Sequence, residues 1–212
     1  MAGKRTYRSP AREEAARATR RRIVAAAQEL FEARGYAGTT IDAVAETAGV
    51  SRRTVFLSVG SKAELLKTAW DWAVAGDDEP VAMADRPHIR RMQEDVTDPD
   101  ELVRLWVAQV MAVADRVSPL ALVLTRAVDV DAEAAVLQER IDTERRAGAG
   151  MFVRHLASVG GLRAGLGEEA AADMCWILMN PLLQHRLRAE RGWAAVQVED
   201  WLVRLTTASL LP

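Results

Sequence analysis

Apolar side chains recur every three or four residues along this chain, which is the spacing of one face of an α-helix. The pattern is clearest over residues 20–35, 63–75, 131–158, 168–190 and 198–211. No segment sustains the alternation of apolar and polar residues that is typical of a half-buried β-strand. The sequence therefore predicts an all-α fold of about nine helices.

Three helix starts and one tight turn follow one another within residues 39–62. Thr39, Ser51 and Ser61 each stand where a hydroxyl can accept a hydrogen bond from the free amides of a new helix. Gly49 lies between the first two of these helices, where glycine readily adopts the left-handed conformation that ends a helix. This spacing predicts a helix-turn-helix motif.

The second helix of the motif would begin with two arginines and a threonine, Arg52, Arg53 and Thr54. These three cannot all face the interior, so we expect the guanidinium groups and the hydroxyl to face outward. Guanidinium groups match guanine edges and phosphates, and the first turn of a recognition helix is the part that meets bases. A solvated arginine pair without a DNA role is the alternative.

A helix over residues 20–35, ending at Gly35, can pack over this motif. The run of residues 23–66 resembles the DNA-binding domain of the TetR family of transcriptional regulators. The resemblance implies an N-terminal three-helix DNA-binding domain (residues 19–62) and a C-terminal helical bundle for effector binding and dimerisation (residues 63–212). The matching residues, in chain order, are Ala26, Ala27, Leu30, Phe31, Gly35, Tyr36, Thr39, Thr40, Ala48, Gly49, Val50, Ser51, Thr54, Ser61 and Lys62.

Three positions depart from the family pattern. Phe56 stands where the family usually has a tyrosine whose hydroxyl contacts a phosphate, and Val59 replaces a usual phenylalanine. Arg53 replaces a frequent glycine, and we expect this long cation to contribute to base or phosphate recognition and to a different operator preference. The residues expected to contact DNA are Thr40, Ser51, Arg52, Arg53, Thr54, Phe56 and Lys62.

The two parts of the chain carry opposite charge. Residues 1–62 hold 12 Lys and Arg against 6 Asp and Glu, a net charge of +6; the other 150 residues hold 16 against 24, a net of −8. A basic head suits a polyanion, and an acidic body discourages further contact with DNA. Residues 1–18 are predicted to form a flexible basic arm, which either reaches the DNA backbone or minor groove or is a solvated tail.

Other residue types narrow the class of protein. The chain has no run of about 18 apolar residues and begins with a polar, charged segment, so we expect a cytoplasmic protein without a membrane span. Cys175 is the single cysteine, and we expect it to be a buried small hydrophobic residue rather than a redox sensor. His88, His155 and His185 lie far apart, without a partner at zinc-ligand spacing.

Helix boundaries in the predicted bundle are marked by capping residues and prolines. An Asp-Pro pair at residues 98–99 begins one helix, and a Ser-Pro pair at residues 118–119 is predicted to begin the next. Pro181 is predicted to kink the helix that contains it. The acidic segment 76–80 is expected to be a solvated loop.

Two broad apolar stripes run along residues 168–190 and 198–211. The family resemblance implies that these helices pack against their copies in a homodimer, and a two-fold dimer is the commonest way to cover such faces. A dimer would also place two recognition helices about 34 Å apart, matching a palindromic operator. Burial within one chain is the alternative. The expected interface residues are Trp176, Met179, Leu183, Leu187, Trp201, Leu202 and Leu205.

All six tryptophans lie beyond the DNA-binding domain. Aromatic and thioether side chains fill cores, and they also line adaptable apolar pockets. The family resemblance implies an effector cavity inside the bundle, although nothing in the sequence identifies the effector. The residues expected to line this cavity are Trp70, Trp106, Met111 and Trp176.

These features together predict a ligand-responsive transcriptional repressor that binds a palindromic DNA operator as a homodimer and is released by a small apolar or amphipathic effector. The alternative is a non-specific DNA-binding or protein-binding helical module without an effector. The sequence contains no glycine-rich phosphate loop, no Gly-x-Ser-x-Gly and no metal-ligand spacing. We therefore expect neither an enzyme nor a bound cofactor or metal.

Overall fold

A computed structural model describes residues 10–212, in which all regular secondary structure is helical and no β-strand occurs. The all-α prediction is therefore confirmed, with ten α-helices rather than about nine. A 3-10 turn lies at Met83–Asp85 and a π-helical turn at Arg186–Glu190. The helices are α1 (Pro10–Gly38), α2 (Ile41–Ala48), α3 (Arg52–Ser58), α4 (Lys62–Ala75), α5 (Pro87–Glu94), α6 (Pro99–Ala127), α7 (Ala132–Ser158), α8 (Glu168–Leu178), α9 (Pro181–His185) and α10 (Ala195–Leu210).

Helix α1 begins earlier than the sequence pattern suggested. It starts at Pro10, so the prediction of a flexible arm is wrong for residues 10–18, whereas residues 1–9 lie outside the described part of the chain. Proline suits the first turn of a helix because its missing amide hydrogen has no partner there in any case. Near the other end, Gly35 leaves the helical conformation (φ 71°, ψ 176°), as expected for the residue that ends the regular helix.

The caps of the helix-turn-helix motif agree with the sequence at two of three helices. Ser51 accepts from the Thr54 amide at 3.1 Å, and Ser61 forms a full capping box with Glu64. Gly49 ends α2 in the left-handed conformation (φ 65°). These contacts confirm the predicted starts of α3 and α4.

The cap of α2 is one residue later than predicted. Thr40 is the N-cap and accepts from the Ala43 amide at 3.1 Å. Thr39 is instead buried, and its hydroxyl donates to the Gly35 carbonyl at 2.8 Å. The turn at Gly35 leaves that carbonyl outside the helical hydrogen-bond pattern, so Thr39 serves the end of α1 and not the start of α2.

The core of the head continues into the body. Ile23, Ala27 and Phe31 of α1 are completely buried, and they belong to one apolar cluster that includes residues of α2, α3, α4, α6 and α7. A second cluster joins the first half of α6 to α7, α8 and α10. Helix α1 is therefore shared between the recognition motif and the bundle.

Helix α6 is a single helix of 29 residues, and the predicted helix start at Ser118 and Pro119 is wrong. Val117 and Leu120 on either side of the pair are buried, so packing keeps the helix continuous past the proline. The Ser118 hydroxyl donates to the Ala114 carbonyl at 2.5 Å, as serine often does within a helix.

By length and composition alone, α6 could cross a membrane, and it is the one helix within residues 10–212 that could. Its most apolar window has a mean hydropathy of 1.5, and half of that window is buried inside the fold. The central helix of a soluble protein has the same properties, so this helix is weak evidence for a membrane span.

The kink predicted at Pro181 within one helix is instead a break between two helices. Helix α8 ends at Leu178, and α9 begins at Pro181 with Asn180 as its N-cap. The Asn180 side chain accepts from the Leu182 amide at 3.0 Å. The two helices are thus separate, and the chain changes direction between them.

We predict that Phe31→Ala destabilises the whole chain, because Phe31 is completely buried in the core shared by head and body and stacks on Tyr36 at 5.9 Å between ring centroids. The expected loss is about 3–5 kcal/mol in the free energy of unfolding, measured by urea denaturation. Leu57→Ala is the control, since that side chain is exposed. Equal effects of the two substitutions would contradict this assignment.

Candidate nucleic-acid interface and effector cavity

The first turn of α3 carries the arginines that the sequence singled out. Arg52 and Arg53 are exposed, while Val55 in the same helix is completely buried and fixes which face points outward. Thr54 is half-buried, and its hydroxyl lies 2.8 Å from that of Ser51. The helix therefore presents two guanidinium groups at its N-terminal end, where a recognition helix meets bases.

The two arginines differ in their contacts. Arg52 donates from Nη1 to Asp42 Oδ2 at 2.6 Å, and its Cζ lies 5.6 Å from the centre of the Phe56 ring. Arg53 makes no hydrogen bond or ion pair to any residue between 10 and 212. Since Asp42 lies in the first turn of α2, the Asp42–Arg52 contact brings the N-terminal turns of α2 and α3 together.

The remaining predicted DNA contacts have different surroundings. Thr40 is exposed at the start of α2, and Phe56 is partly exposed on α3. Lys62 is half-buried because its Nζ donates to the Tyr36 carbonyl at 3.2 Å and lies 4.0 Å from the centre of the Tyr36 ring. Lys62 therefore fastens the start of α4 to the end of α1.

A cavity of about 1300 Å³ lies in the helical body. Trp70 and Trp106 line it, as the sequence analysis expected. The Trp106 ring stacks on Phe152 with 4.5 Å between centroids, which forms an aromatic wall. Aliphatic side chains of α6 complete this wall, among them Val110, Val113 and Val117.

Two residues expected in the cavity do not line it. Met111 follows Val110 on α6, and successive helical residues point about 100° apart, so Met111 faces the core that α6 shares with α8 and α10. Trp176 lies against Arg145, whose Cζ is 5.7 Å from the centre of the indole. The sequence showed which residues are aromatic or apolar but not which way each helix is rotated.

The segment between α4 and α6 forms a wall that sequence reasoning missed. Val81, Met83, Ile89 and Met92 from this segment line the cavity. The spacing of Ile89 and Met92 was a helical signal, but α5 has only eight residues and no buried side chain of its own. Met179, which was expected at the dimer interface, also lines the cavity.

A buried lysine organises the polar part of the cavity. The Lys67 side chain is 8% exposed, and its Nζ donates to Asp71 at 2.5 Å and contacts Glu144 at 2.9 Å. Desolvation raises the pKa of Asp71, while the hydrogen bond from Lys67 acts in the opposite direction. The lysine thereby links α4 to α7 beside the cavity.

The acidic loop after α4 is only partly solvated. Asp78, with a side chain 12% exposed, accepts from Arg17 Nε at 2.8 Å and from Arg21 Nε at 2.6 Å. The prediction of a solvated loop is wrong for Asp78 because α1 extends far enough to place these two arginines, one turn apart, beside the loop. Hydrogen bonds from Arg17 and Arg21 lower the pKa of Asp78 below its usual range.

The neighbouring Asp77 holds the other side of this loop. It accepts two hydrogen bonds, at 2.6 and 2.9 Å, from the almost fully buried Arg86. The Arg86 hydrogen bonds lower the pKa of Asp77 to about 2. Since Asp77, Asp78 and Arg17 all line the cavity, the loop joins the cavity wall to helix α1 of the head.

The outer faces of α8 and α10 expose apolar side chains. Ile177 is 55% exposed, and Met174 and Val196 are also exposed. Leu202, one of the expected interface residues, is 1% exposed within the single chain; its predicted interface role is wrong because the core of the same chain already covers it. The other expected interface residues are half-buried: Trp176, Met179, Leu183, Leu187, Trp201 and Leu205.

Within residues 10–212, no group of three or more His, Cys, Asp and Glu side chains is placed to hold a metal ion. Cys175 is buried, as expected, and desolvation raises the pKa of its thiol to about 12. A thiol with such a pKa stays protonated at neutral pH and is a poor nucleophile.

Residues 23–69, which span α2, α3 and most of α1 and α4, match the model of bacterial regulatory proteins of the tetR family. This segment is a TetR-family DNA-binding domain of the helix-turn-helix type.

Two curated relatives extend this comparison. It is 35% identical over 102 residues to the uncharacterized HTH-type transcriptional regulator TtgW of Pseudomonas putida, a match that covers 48% of this chain and 65% of that relative. It is also 35% identical over 99 residues to the HTH-type transcriptional regulator SrpR of Pseudomonas putida, over 47% of this chain and 39% of SrpR. The chain thus spans less than two thirds of the length of either relative.

Solved structures with a similar fold cover nearly the whole chain. NalD, the secondary repressor of the MexAB-OprM multidrug efflux pump in Pseudomonas aeruginosa, superimposes with a TM-score of 0.65 and 19% identity over 92% of this chain and 97% of NalD. The transcriptional regulator FadR from Bacillus subtilis, solved in complex with stearoyl-CoA, superimposes with a TM-score of 0.66 and 16% identity over 88% of this chain and 97% of FadR. Identities this low establish a common fold for the head and the bundle together, and no more than that.

We predict that the loop contacts of Asp77 and Asp78 lose their stabilising effect in acid. Both carboxyl pKa values are lower in the folded chain than the ordinary value of 3.8. Their contribution is therefore fully present above about pH 4 and is lost as the pH falls toward 2. Urea denaturation at pH 7, 4 and 3 should show that the double variant Asp77→Asn, Asp78→Asn loses less stability on acidification than the wild type. Parallel losses in the two proteins would contradict this.

Proposed function

We propose that this TetR-family regulator is a cytoplasmic repressor that binds a palindromic operator as a homodimer and is released by a small apolar or amphipathic effector. The observation that carries the proposal is the 1300 Å³ cavity, because its walls include side chains of both the body and the head. On the head side these are Arg17 and Arg20 of α1 and Leu57 of α3. A molecule that occupies this end of the cavity would contact α1 and α3 of the head.

The DNA-reading surface is proposed to consist of the N-terminal turns of α2 and α3. Thr40 and Ser51 cap these turns, and helix N-termini favour phosphate groups. Arg52 and Arg53 extend from the same turn of α3 and reach base edges or phosphates. Phe56 lacks the hydroxyl of a tyrosine, so the phosphate contact expected of the family at this position is replaced by an apolar contact.

We predict that Arg53→Ala weakens operator binding by about 1–3 kcal/mol if the guanidinium reads a base, and changes the preferred base at that position. A phosphate contact would instead weaken binding to all duplexes and make its salt dependence shallower. Affinities measured by fluorescence anisotropy at fixed salt distinguish the two results. The control is Arg126→Ala, an exposed arginine of the body. Unchanged affinity and preference in the Arg53 variant would contradict any DNA role for it.

The dimer is proposed to form through the outer faces of α8 and α10. Ile177 and Met174 on α8 and Val196 on α10 are exposed apolar side chains, and Trp201 and Leu205 of α10 are half-buried. Covering such a surface with a second copy stabilises both, and two-fold symmetry gives a palindromic binding site. Equilibrium sedimentation of wild type and of Ile177→Asp tests this, because a charge in the interface should shift the equilibrium to monomer.

The effector is proposed to place an apolar body against Trp70, Trp106 and Phe152 and a polar end near Lys67 and its carboxylate partners. FadR, which was solved with an amphipathic molecule, has a similar fold and supports this choice of ligand class. NalD, a repressor with a similar fold, supports repression as the output. Binding of a ligand beside Trp70 and Trp106 should change tryptophan fluorescence, which gives a direct assay.

Effector and DNA are proposed to be linked through two structural connections. Helix α4 leads from the capping box at Ser61 to the cavity at Trp70, and Arg116 of α6 holds its other end by donating to the Ala73 and Val74 carbonyls. The second connection is the ion pair of Asp78 with α1. If the effector displaces either connection, the affinity for the operator falls. The operator then lowers the affinity for the effector by the same factor.

The proposed function is tested by selecting genome fragments with the purified protein and titrating compounds against the recovered duplex. A palindromic preference that a cavity-binding compound weakens is the expected result. Equal affinity for recovered and scrambled duplexes, with only a steep salt dependence, would favour the non-specific module instead.

We predict that Asp78→Asn reduces the coupling between the two sites. A coupling of roughly 5–150-fold is typical of allosteric proteins. The variant should show a smaller ratio of operator dissociation constants with and without a saturating compound. Asp85→Asn is the matched control, because that exposed residue of the same segment pairs with Arg90 and not with the head. A full coupling ratio in the Asp78 variant would place the linkage in α4 alone.

A further inference from the structure

Asp42 carries a negative charge on the surface proposed to face DNA. Its side chain is 66% exposed in the first turn of α2, two residues after Thr40. A carboxylate in such a place repels the phosphates of any duplex, whatever its sequence. A carboxylate at this position therefore lowers the affinity for DNA of any sequence, so any advantage of Asp42 must come from another effect.

The contacts of Asp42 indicate that its benefit concerns the neighbouring Arg52. Its Oδ2 accepts from Arg52 Nη1 at 2.6 Å, and Arg52 Cζ lies 5.6 Å from the centre of the Phe56 ring. The guanidinium is thus held between a carboxylate on α2 and an aromatic ring one turn further along α3. One of its five N–H donors is engaged by Asp42, and the planar group still has donors for a bidentate contact.

The neighbouring Arg53 provides a comparison within the same helical turn. It is exposed and has no partner in the described part of the chain, so its side chain can adopt many conformations and reach phosphates as well as bases. The pair of Asp42 and Arg52 has no net charge and a defined geometry. Of the two adjacent arginines, Arg52 is therefore held in one geometry, whereas Arg53 is free to move.

We propose that Asp42 is a specificity-determining positioning residue, which holds Arg52 for a bidentate contact with a base edge and keeps it from pairing with phosphates. The proposal rests on the proposed sequence-specific DNA binding. An arginine held in place loses less conformational freedom on binding the correct base. When the base is wrong, Arg52 stays paired with Asp42 and neutralises no phosphate, so the complex gains nothing from this arginine and discrimination increases.

The test compares Asp42→Asn with wild type on the duplex recovered by fragment selection and on a scrambled duplex. We expect the variant to bind the scrambled duplex more tightly and to lose about tenfold in the ratio of the two affinities. The salt dependence on the scrambled duplex should become steeper, because Arg52 is then available to neutralise a phosphate. Asp42→Glu keeps the charge and should restore most of the ratio.

Glu46→Gln is the matched control. It removes an exposed carboxylate from the same helix, and Glu46 does not contact Arg52. It should strengthen binding to both duplexes without changing their ratio. In an Arg52→Ala background, Asp42→Asn should leave the ratio unchanged, because the residue acts through Arg52. Circular dichroism and thermal unfolding establish that each variant retains the fold.

Two results would overturn the proposal. One is an Asp42→Asn variant whose affinity ratio equals that of wild type. The other is a loss of ratio that is as large in the Arg52→Ala background as in the wild-type background. A wild-type protein that does not distinguish the two duplexes would instead contradict the proposed function itself, so the two failures can be told apart.

Discussion

The burial of helix α1 is the constraint on which the rest of the structure depends. Its apolar face, with Ile23, Ala27 and Phe31 completely buried, packs on the helix-turn-helix and on the body in one continuous core. Such a helix cannot move relative to α4 or α6 without exposing apolar surface to water, which is unfavourable in proportion to the area exposed. The orientation of α3 is therefore tied to the packing of the bundle, and in the proposed function a ligand that alters this packing acts on the DNA-reading surface.

Ion pairs at the edge of this core fix how the head packs against the bundle. Arg17 and Arg21 of α1 meet Asp78, while Lys67 of α4 meets Glu144 of α7. In each contact one partner, Asp78 or Lys67, is largely buried, so these contacts define which surfaces lie together. The basic head and the acidic body thus interact where they meet, and the remaining positive groups of the head stay available to DNA.

Local chemistry was well predicted from the sequence. The caps at Ser51 and Ser61, the turn at Gly49 and the exposed arginine pair depend on residues within one or two helical turns, and they lie where the pattern placed them. The family resemblance had the same origin, since it was carried by the same short segments. Errors arose where a distant part of the chain intervened: the core held α6 straight through Pro119, and the end of α1 drew Thr39 away from α2.

By itself, the sequence determined the helical class, the helix-turn-helix motif, two of its three caps and the opposite charges of head and body, because periodicity, capping and composition act over short distances. Only the tertiary structure decided that Met111 points away from the cavity, that residues 81–92 form one of its walls and that Asp42 holds Arg52. Each of these depends on the rotation of a helix about its axis or on contact between separate helices. Such features follow from packing of the whole chain, which no single segment encodes.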